Sequence, residues 1–109
     1  MAAVNLNNEL LKQLMNEGKL VLVDYWAPWC GYCRRIGPAY DKVADQYEGQ
    51  VAVVKLNIDE EPLIAHKEHI EVIPTLVLYH HGEAIGSMVA PASQAAIDAF
   101  VSEKLGICP

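Results

Sequence analysis

The run Leu20-Val21-Leu22-Val23-Asp24-Tyr25-Trp26-Ala27-Pro28-Trp29-Cys30-Gly31-Tyr32-Cys33, with its continuation to Tyr47, decides the fold. Leu20 to Tyr25 is apolar without alternation, interrupted by Asp24 alone. A strand wet on one face alternates, whereas an unbroken apolar run is expected of a central strand covered on both faces, as in a parallel α/β sheet. From Cys30 the period changes. Cys33, Ile36, Tyr40, Val43 and Tyr47 recur at three- and four-residue steps, while Arg34, Arg35, Asp41, Lys42 and Asp45 take other faces. This is an amphipathic helix. A kink is expected at Pro38, which cannot donate to residue 34 and crowds its carbonyl.

Upstream, Asn8 is the expected N-cap of a helix that places Leu10, Leu11, Leu14 and Met15 on one face and ends at Gly18, with room for a short strand near Val4 to Leu6. Downstream, Val51 to Ile58 reads as a second apolar strand, and Pro62 is placed to open a short helix to about Glu68. Thr75 to Tyr79 and Ala84 to Val89 read as a hairpin around His80-His81-Gly82-Glu83. Ser93 then caps a last helix whose Ile97, Phe100, Val101 and Leu105 form one stripe, with Gly106 past its end. The order predicts an α/β fold, a mixed sheet of four to five strands with helices on both faces.

Composition agrees. The chain has 109 residues, 52% hydrophobic and 20% charged, with a formal net charge of −6, which fits one domain over residues 1–109 with a continuous core. Its most apolar uncharged run, Ile73 to Tyr79, is far shorter than the ~20 residues a membrane-spanning helix needs. Met1 to Leu11 has neither a basic nor a long apolar segment, so a cytoplasmic home is expected. Eight Lys and Arg against fourteen acids argue against a nucleic-acid partner.

Cys30-Gly31-Tyr32-Cys33 falls where a buried strand meets the helix after it. Backbone N–H groups such as those of Gly31 and Tyr32, with the positive end of the helix dipole, favour a thiolate at such a place. Cys30 is therefore the candidate nucleophile. Three-residue spacing at a helix start sets Cys33 beside it, able to displace whatever Cys30 captures. A bare C-x-x-C is also half a zinc site, but Cys108 and the four His would have to supply the other ligands from unrelated places. No metal site is expected. Cys108, near a terminus, reads as a free thiol. His66, His69, His80 and His81 read as solvated polar residues, and Glu60 and Glu61 as helix-start acids.

Asp24 is the oddest residue, a carboxyl on a strand that should be dry on both faces. Desolvation should raise its pKa towards neutrality. A carboxyl that merely hydrogen-bonds backbone is the other reading. Lys55, on the neighbouring strand, can reach the same carboxyl and tune it, or snorkel to solvent.

Val23 to Cys33, Lys55-Leu56-Asn57-Ile58-Asp59, Ile73-Pro74-Thr75-Leu76 and His81-Gly82-Glu83 together resemble the thioredoxin family over nearly the whole chain. The resemblance implies a thiol–disulfide oxidoreductase that reduces protein disulfides, in which Cys30 attacks, Cys33 resolves and Asp24 takes the Cys33 proton through a water. It also implies that Pro74 follows a cis bond, against the trans default, with Ile73 and Trp29 contacting substrate. Trp26 is expected in the core. No tightly bound cofactor is implied. The implied partners are disulfide-containing proteins and a thioredoxin reductase or similar donor, met by a monomer.

Two positions depart from the family pattern. Tyr32 stands where most members have proline, restoring an N–H in the first helical turn within reach of the Cys30 sulfur. That predicts a less negative potential and opens an oxidase-like or isomerase-like alternative. Ala90 stands at about the place of a usual glycine, narrowing the docking surface, and a thioredoxin-fold binding module is the alternative from another class.

Overall fold

The computed structural model describes residues 3–107. The elements run β1 (Val4–Asn5), α1 (Asn8–Asn16), β2 (Leu20–Trp26), α2 (Gly31–Gln46), β3 (Val51–Asn57), α3 (Pro62–Lys67), β4 (Thr75–His80), β5 (Glu83–Val89) and α4 (Gln94–Ile107). The strands make one mixed sheet in the order β1-β3-β2-β4-β5. β2 lies at its centre, parallel to β3 and antiparallel to β4.

The unbroken apolar run of β2 has the predicted cause. Val21, Leu22, Val23 and Tyr25 are each 0% exposed, so consecutive residues, which point to opposite faces, are all dry. Leu20 and Leu22 join Ile36, Tyr40 and Val43 of α2 and Ile97 and Val101 of α4 in one cluster. Val21, Val23 and Tyr25 join Leu56 and Val77 in another, covered by Leu10, Leu11 and Leu14 of α1 and Ile64 of α3. Helices therefore cover both faces, and each buried aliphatic side chain contributes about 1.5–3 kcal/mol.

Local signals set the element ends, in places one residue from the expected one. Asn7, not Asn8, caps α1, its side chain accepting the Leu10 N–H at 2.8 Å; neighbouring asparagines are equally good caps. The hairpin turn is shorter than expected. His81 and Gly82 alone connect β4 to β5, both with positive φ (52° and 81°), the left-handed pair that suits the twist of two-residue hairpins. Ser93 caps α4 through its hydroxyl, which accepts the Ala96 N–H at 3.1 Å. Gly106 lies inside α4 rather than past it, since glycine weakens a helix without ending it. Cys108 lies outside the described residues.

Candidate active site

The chain leaves β2 at Trp26 and turns at once, the Cys30 N–H donating to the Ala27 carbonyl at 3.1 Å. Cys30 then becomes the N-cap of α2. Its sulfur accepts the N–H of Cys33 at 3.2 Å, the bond that a serine or aspartate oxygen makes at ordinary helix starts. The expected donor to this sulfur is the Tyr32 N–H; the geometry gives that place to Cys33, the third helical N–H being used rather than the second, both of which a capping side chain can reach. Gly31 is exposed, and a side chain there would meet nothing within 4 Å, so it can act only through its backbone.

The two sulfurs are free thiols in unlike surroundings: Cys30 is partly exposed and Cys33 is buried. Burial, and then the hydrogen bond from Cys33 to Cys30, push the Cys33 thiol up to about 12, with the charges of Cys30 and Asp24 adding to the rise.

Asp24 lies on the same face of the sheet as α2, in register with Lys55 on β3 and Leu76 on β4. It is 1% exposed, and its Oδ1 has no hydrogen-bond partner among the described residues. That orphan oxygen counts against a carboxyl placed to bind backbone. Burial raises its pKa from 3.8 to about 7, and Lys55 opposes the rise. Tyr40, from α2, packs beside it with a hydroxyl donating to the Val54 carbonyl at 2.6 Å and the Leu22 carbonyl at 3.0 Å. Lys55 holds its Nζ 4.3 Å from the centroid of the Trp26 ring, a cation over an aromatic face. Trp26 is not core as expected but half-buried, its indole N–H donating to Asn5 Oδ1 at 3.0 Å.

Other segments reach the dithiol from outside α2. The Ile73-Pro74 bond is cis, and the Ile73 carbonyl oxygen lies 4.0 Å from the Cys30 sulfur. The Pro74 carbonyl accepts the Ala90 N–H at 2.9 Å. Ala90 has φ of 47°, in the left-handed region. Tyr32 sends its hydroxyl across to the same loop, donating to the Pro91 carbonyl at 2.8 Å and the Ala90 carbonyl at 3.3 Å. Trp29 is 66% exposed. Its indole N–H donates to the Asp59 carboxylate, at 3.1 Å to Oδ2 and 3.3 Å to Oδ1.

Asp59 is the neighbour that sequence reasoning missed. Trp26 and Asn57 pair at the ends of β2 and β3, which starts the two following loops side by side, and that parallel pairing is the available signal. Among the described residues no group of three or more His, Cys, Asp or Glu is placed to hold a metal.

A dithiol at a helix cap thus stands against the Ile73 carbonyl of a cis Ile-Pro bond, near a buried acid. The family profile described as Thioredoxin fits residues 2–103. The chain belongs to the thioredoxin family. It is 37% identical to thioredoxin 1 of a Nostoc species over 105 residues, 95% of this chain and 98% of that one. Thioredoxin 1 of Synechococcus elongatus is 43% identical over 88 residues, 80% and 82% of the two chains. Among solved structures, the mitochondrial thioredoxin 3 of Saccharomyces cerevisiae in its oxidised form superposes with a TM-score of 0.81 at 28% identity, covering 93% of this chain and 94% of that one. A mutant thioredoxin from Halobacterium salinarum gives 0.84 at 26% identity, covering 94% and 89%. The fold is thus the thioredoxin fold, and membership supports thiol–disulfide oxidoreductase chemistry.

Proposed function

We propose that this thioredoxin-family chain reduces protein disulfides by two successive thiol exchanges at Cys30 and Cys33. The observation that carries the reading is the asymmetry of the pair. Cys30 is partly exposed and its sulfur accepts the Cys33 backbone N–H, while Cys33 is buried and held as a thiol. In the first exchange the Cys30 thiolate attacks one substrate sulfur, forming a mixed disulfide and releasing the other substrate sulfur as a thiolate. In the second, Cys33 loses its proton to Asp24 and attacks the Cys30 sulfur, releasing the substrate as a dithiol and leaving a Cys30–Cys33 disulfide. Two electrons pass from the pair to the substrate.

The order of events has a physical basis. Two of the influences that raise the Cys33 pKa, its hydrogen bond to Cys30 and the Cys30 charge, involve Cys30 itself. Both vanish once Cys30 is bound in a mixed disulfide, so capture makes the resolving thiol easier to deprotonate. Asp24, with a pKa of about 7, is then an acceptor whose charge state is poised near neutrality. A reductase supplies electrons to regenerate the dithiol, and no bound cofactor takes part. A reducing compartment such as the cytoplasm suits this cycle.

The backbone N–H of Tyr32, at the second helical position where proline would have none, adds positive field beside the thiolate. A less negative potential, by on the order of 10–30 mV, follows from ~0.5–1.4 kcal/mol of thiolate stabilisation in a two-electron couple. Redox titration of Tyr32→Pro against Tyr32→Ala, which share the loss of the side chain, should give the more negative value for proline; equal values would remove this account.

Insulin reduction with dithiothreitol as electron source tests the main proposal. Cys30→Ser should abolish it, and Cys33→Ser should leave substrates covalently held on Cys30. Wild-type rates no faster than dithiothreitol alone would end the reading, and a cellular requirement that survives Cys30→Ser would favour the binding module.

A further inference from the structure

The Tyr32 hydroxyl closes a circuit. From Cys30 the contacts run to the Ile73 carbonyl at 4.0 Å and along the chain to Pro74. The Pro74 carbonyl takes the Ala90 N–H at 2.9 Å. The Pro91 carbonyl takes the Tyr32 hydroxyl at 2.8 Å, and Tyr32 returns through two peptide bonds to Cys30. Three segments that border the nucleophilic sulfur are thereby tied into one ring. The hydroxyl is the sole side-chain link between the start of α2 and the 90–91 loop within this ring. Because its second acceptor is the Ala90 carbonyl at 3.3 Å, a single O–H donor engages both outward carbonyls of the turn.

The geometry has a steric side as well. The half-buried Tyr32 ring must span the gap between helix start and loop for its hydroxyl to arrive there, and the Arg35 guanidinium lies 5.8 Å from its centroid. The ring therefore packs against the core cluster shared by α2 and α4 and closes the space between the helix start and the loop. Trp29, which precedes Cys30 where Tyr32 follows it, is 66% exposed.

We infer that Tyr32 is a specificity-determining latch, which holds the 90–91 loop closed and favours low-molecular-weight or narrow, extended disulfides over disulfides recessed in folded proteins. A broad substrate must displace the ring or open the loop, whereas a narrow one reaches Cys30 beside the exposed Trp29. This rests on the dithiol chemistry proposed above and adds the class of substrate that the site prefers.

The test compares kcat/KM for insulin with kcat/KM for the small neutral disulfide bis(2-hydroxyethyl) disulfide, in wild type, Tyr32→Phe and Tyr32→Ala. The ratio of the two cancels any effect that the substitutions have on the sulfurs themselves. The insulin-to-small-disulfide ratio should rise at least threefold in Tyr32→Phe, which keeps the ring and loses the hydroxyl, and further in Tyr32→Ala. Amide exchange at Ala90 should quicken about fivefold in Tyr32→Phe, the factor that one neutral hydrogen bond supports. An unchanged or lower ratio in both variants would overturn the inference, as would a rise confined to Tyr32→Ala, which would assign selectivity to ring bulk alone. If wild type reduces neither disulfide, the proposed dithiol chemistry fails first; if it reduces both and the ratio stands still, the latch alone fails.

Discussion

Replacing Asp24 with asparagine should stabilise the protein, and by more the higher the pH. The carboxyl is 1% exposed, and burial lifts its pKa from 3.8 to about 7 against the pull of Lys55. In the unfolded chain the same group ionises near the ordinary ~3.9. Between these values the folded state keeps a proton that the unfolded state has released, so stability falls as pH rises from about 4 to about 7 and levels off above. At about 1.4 kcal/mol for each tenfold change in proton affinity, a rise from 3.8 to about 7 means roughly 4 kcal/mol of stability lost by pH 8. Asparagine matches the neutral carboxyl in size and in the cost of burial but has no proton to lose. The two proteins should therefore be nearly equal at about pH 4 and differ by roughly 3–4 kcal/mol at about pH 8. Urea unfolding followed by tryptophan fluorescence at several pH values across that window measures the gap. A gap that stays constant over the window would refute the reasoning, because a merely steric effect of the substitution does not titrate. The same variant should slow resolution of the mixed disulfide at least tenfold, as general bases contribute ~10²–10⁴ in rate.

Lys55→Gln removes the charge that opposes the rise at Asp24, so the carboxyl should titrate at a higher pH than in wild type, as followed by its side-chain ¹³C shift; no movement would mean that solvent screens the pair. Ala90→Gly relieves a left-handed alanine worth ~1–2 kcal/mol and gives the unfolded chain back ~0.4–1 kcal/mol of freedom. The net gain should be about 0.5–1 kcal/mol, read as a higher Tm. Tyr47→Phe breaks the tie from the end of α2 to α4, where the hydroxyl meets the Asp98 carboxylate and the Ser102 hydroxyl. Loss of about 1–2 kcal/mol in chemical denaturation is expected from one partly buried charge-assisted bond and one neutral bond.

What the sequence revealed and what it hid divide along sequence separation. The burial of β2 is legible because each of its residues records its own environment, and Asp24 stands out for the same reason. Cys30 and Cys33 are legible because their spacing alone brings them together at a helix start. The sulfur's donor is only partly legible, since a capping side chain bonds the second or the third N–H and the local sequence does not choose between Tyr32 and Cys33. By contrast, the Trp29–Asp59 contact spans 30 residues and Tyr32–Pro91 spans 59. Nothing about a tyrosine or an aspartate announces such a partner until sheet order brings the two loops together. The same holds for the Tyr25–Tyr79 hydroxyl pair, 2.6 Å apart and 54 residues apart in sequence, whose second member donates to Glu68 at 2.6 Å. Trp26 misled for a related reason: a large aromatic at the end of a buried strand reads as core, yet its N–H needs an acceptor, and Asn5 supplies one at the sheet margin.

The local rules that this chain breaks cluster around one pair of sulfurs. An orphaned carboxylate oxygen, a left-handed alanine and a cysteine in a capping position each work against the fold or leave it weaker than a plainer residue would. Elsewhere, left-handed His69 after α3 apart, the segments agree with their surroundings, from the two apolar faces of the sheet to the positive-φ hairpin turn. Such agreement supplies the stability against which local departures can be maintained. Because β2 is buried on both faces up to Tyr25, the departure at Asp24 sits on a fully packed strand, shortly before the turn to Cys30. A proton acceptor must keep its position while the thiols beside it exchange partners, and a central strand holds one better than a loop. The 90–91 loop, tied to the sheet end through the Ala90 N–H and the Pro74 carbonyl, gains a further restraint from the Tyr32 hydroxyl.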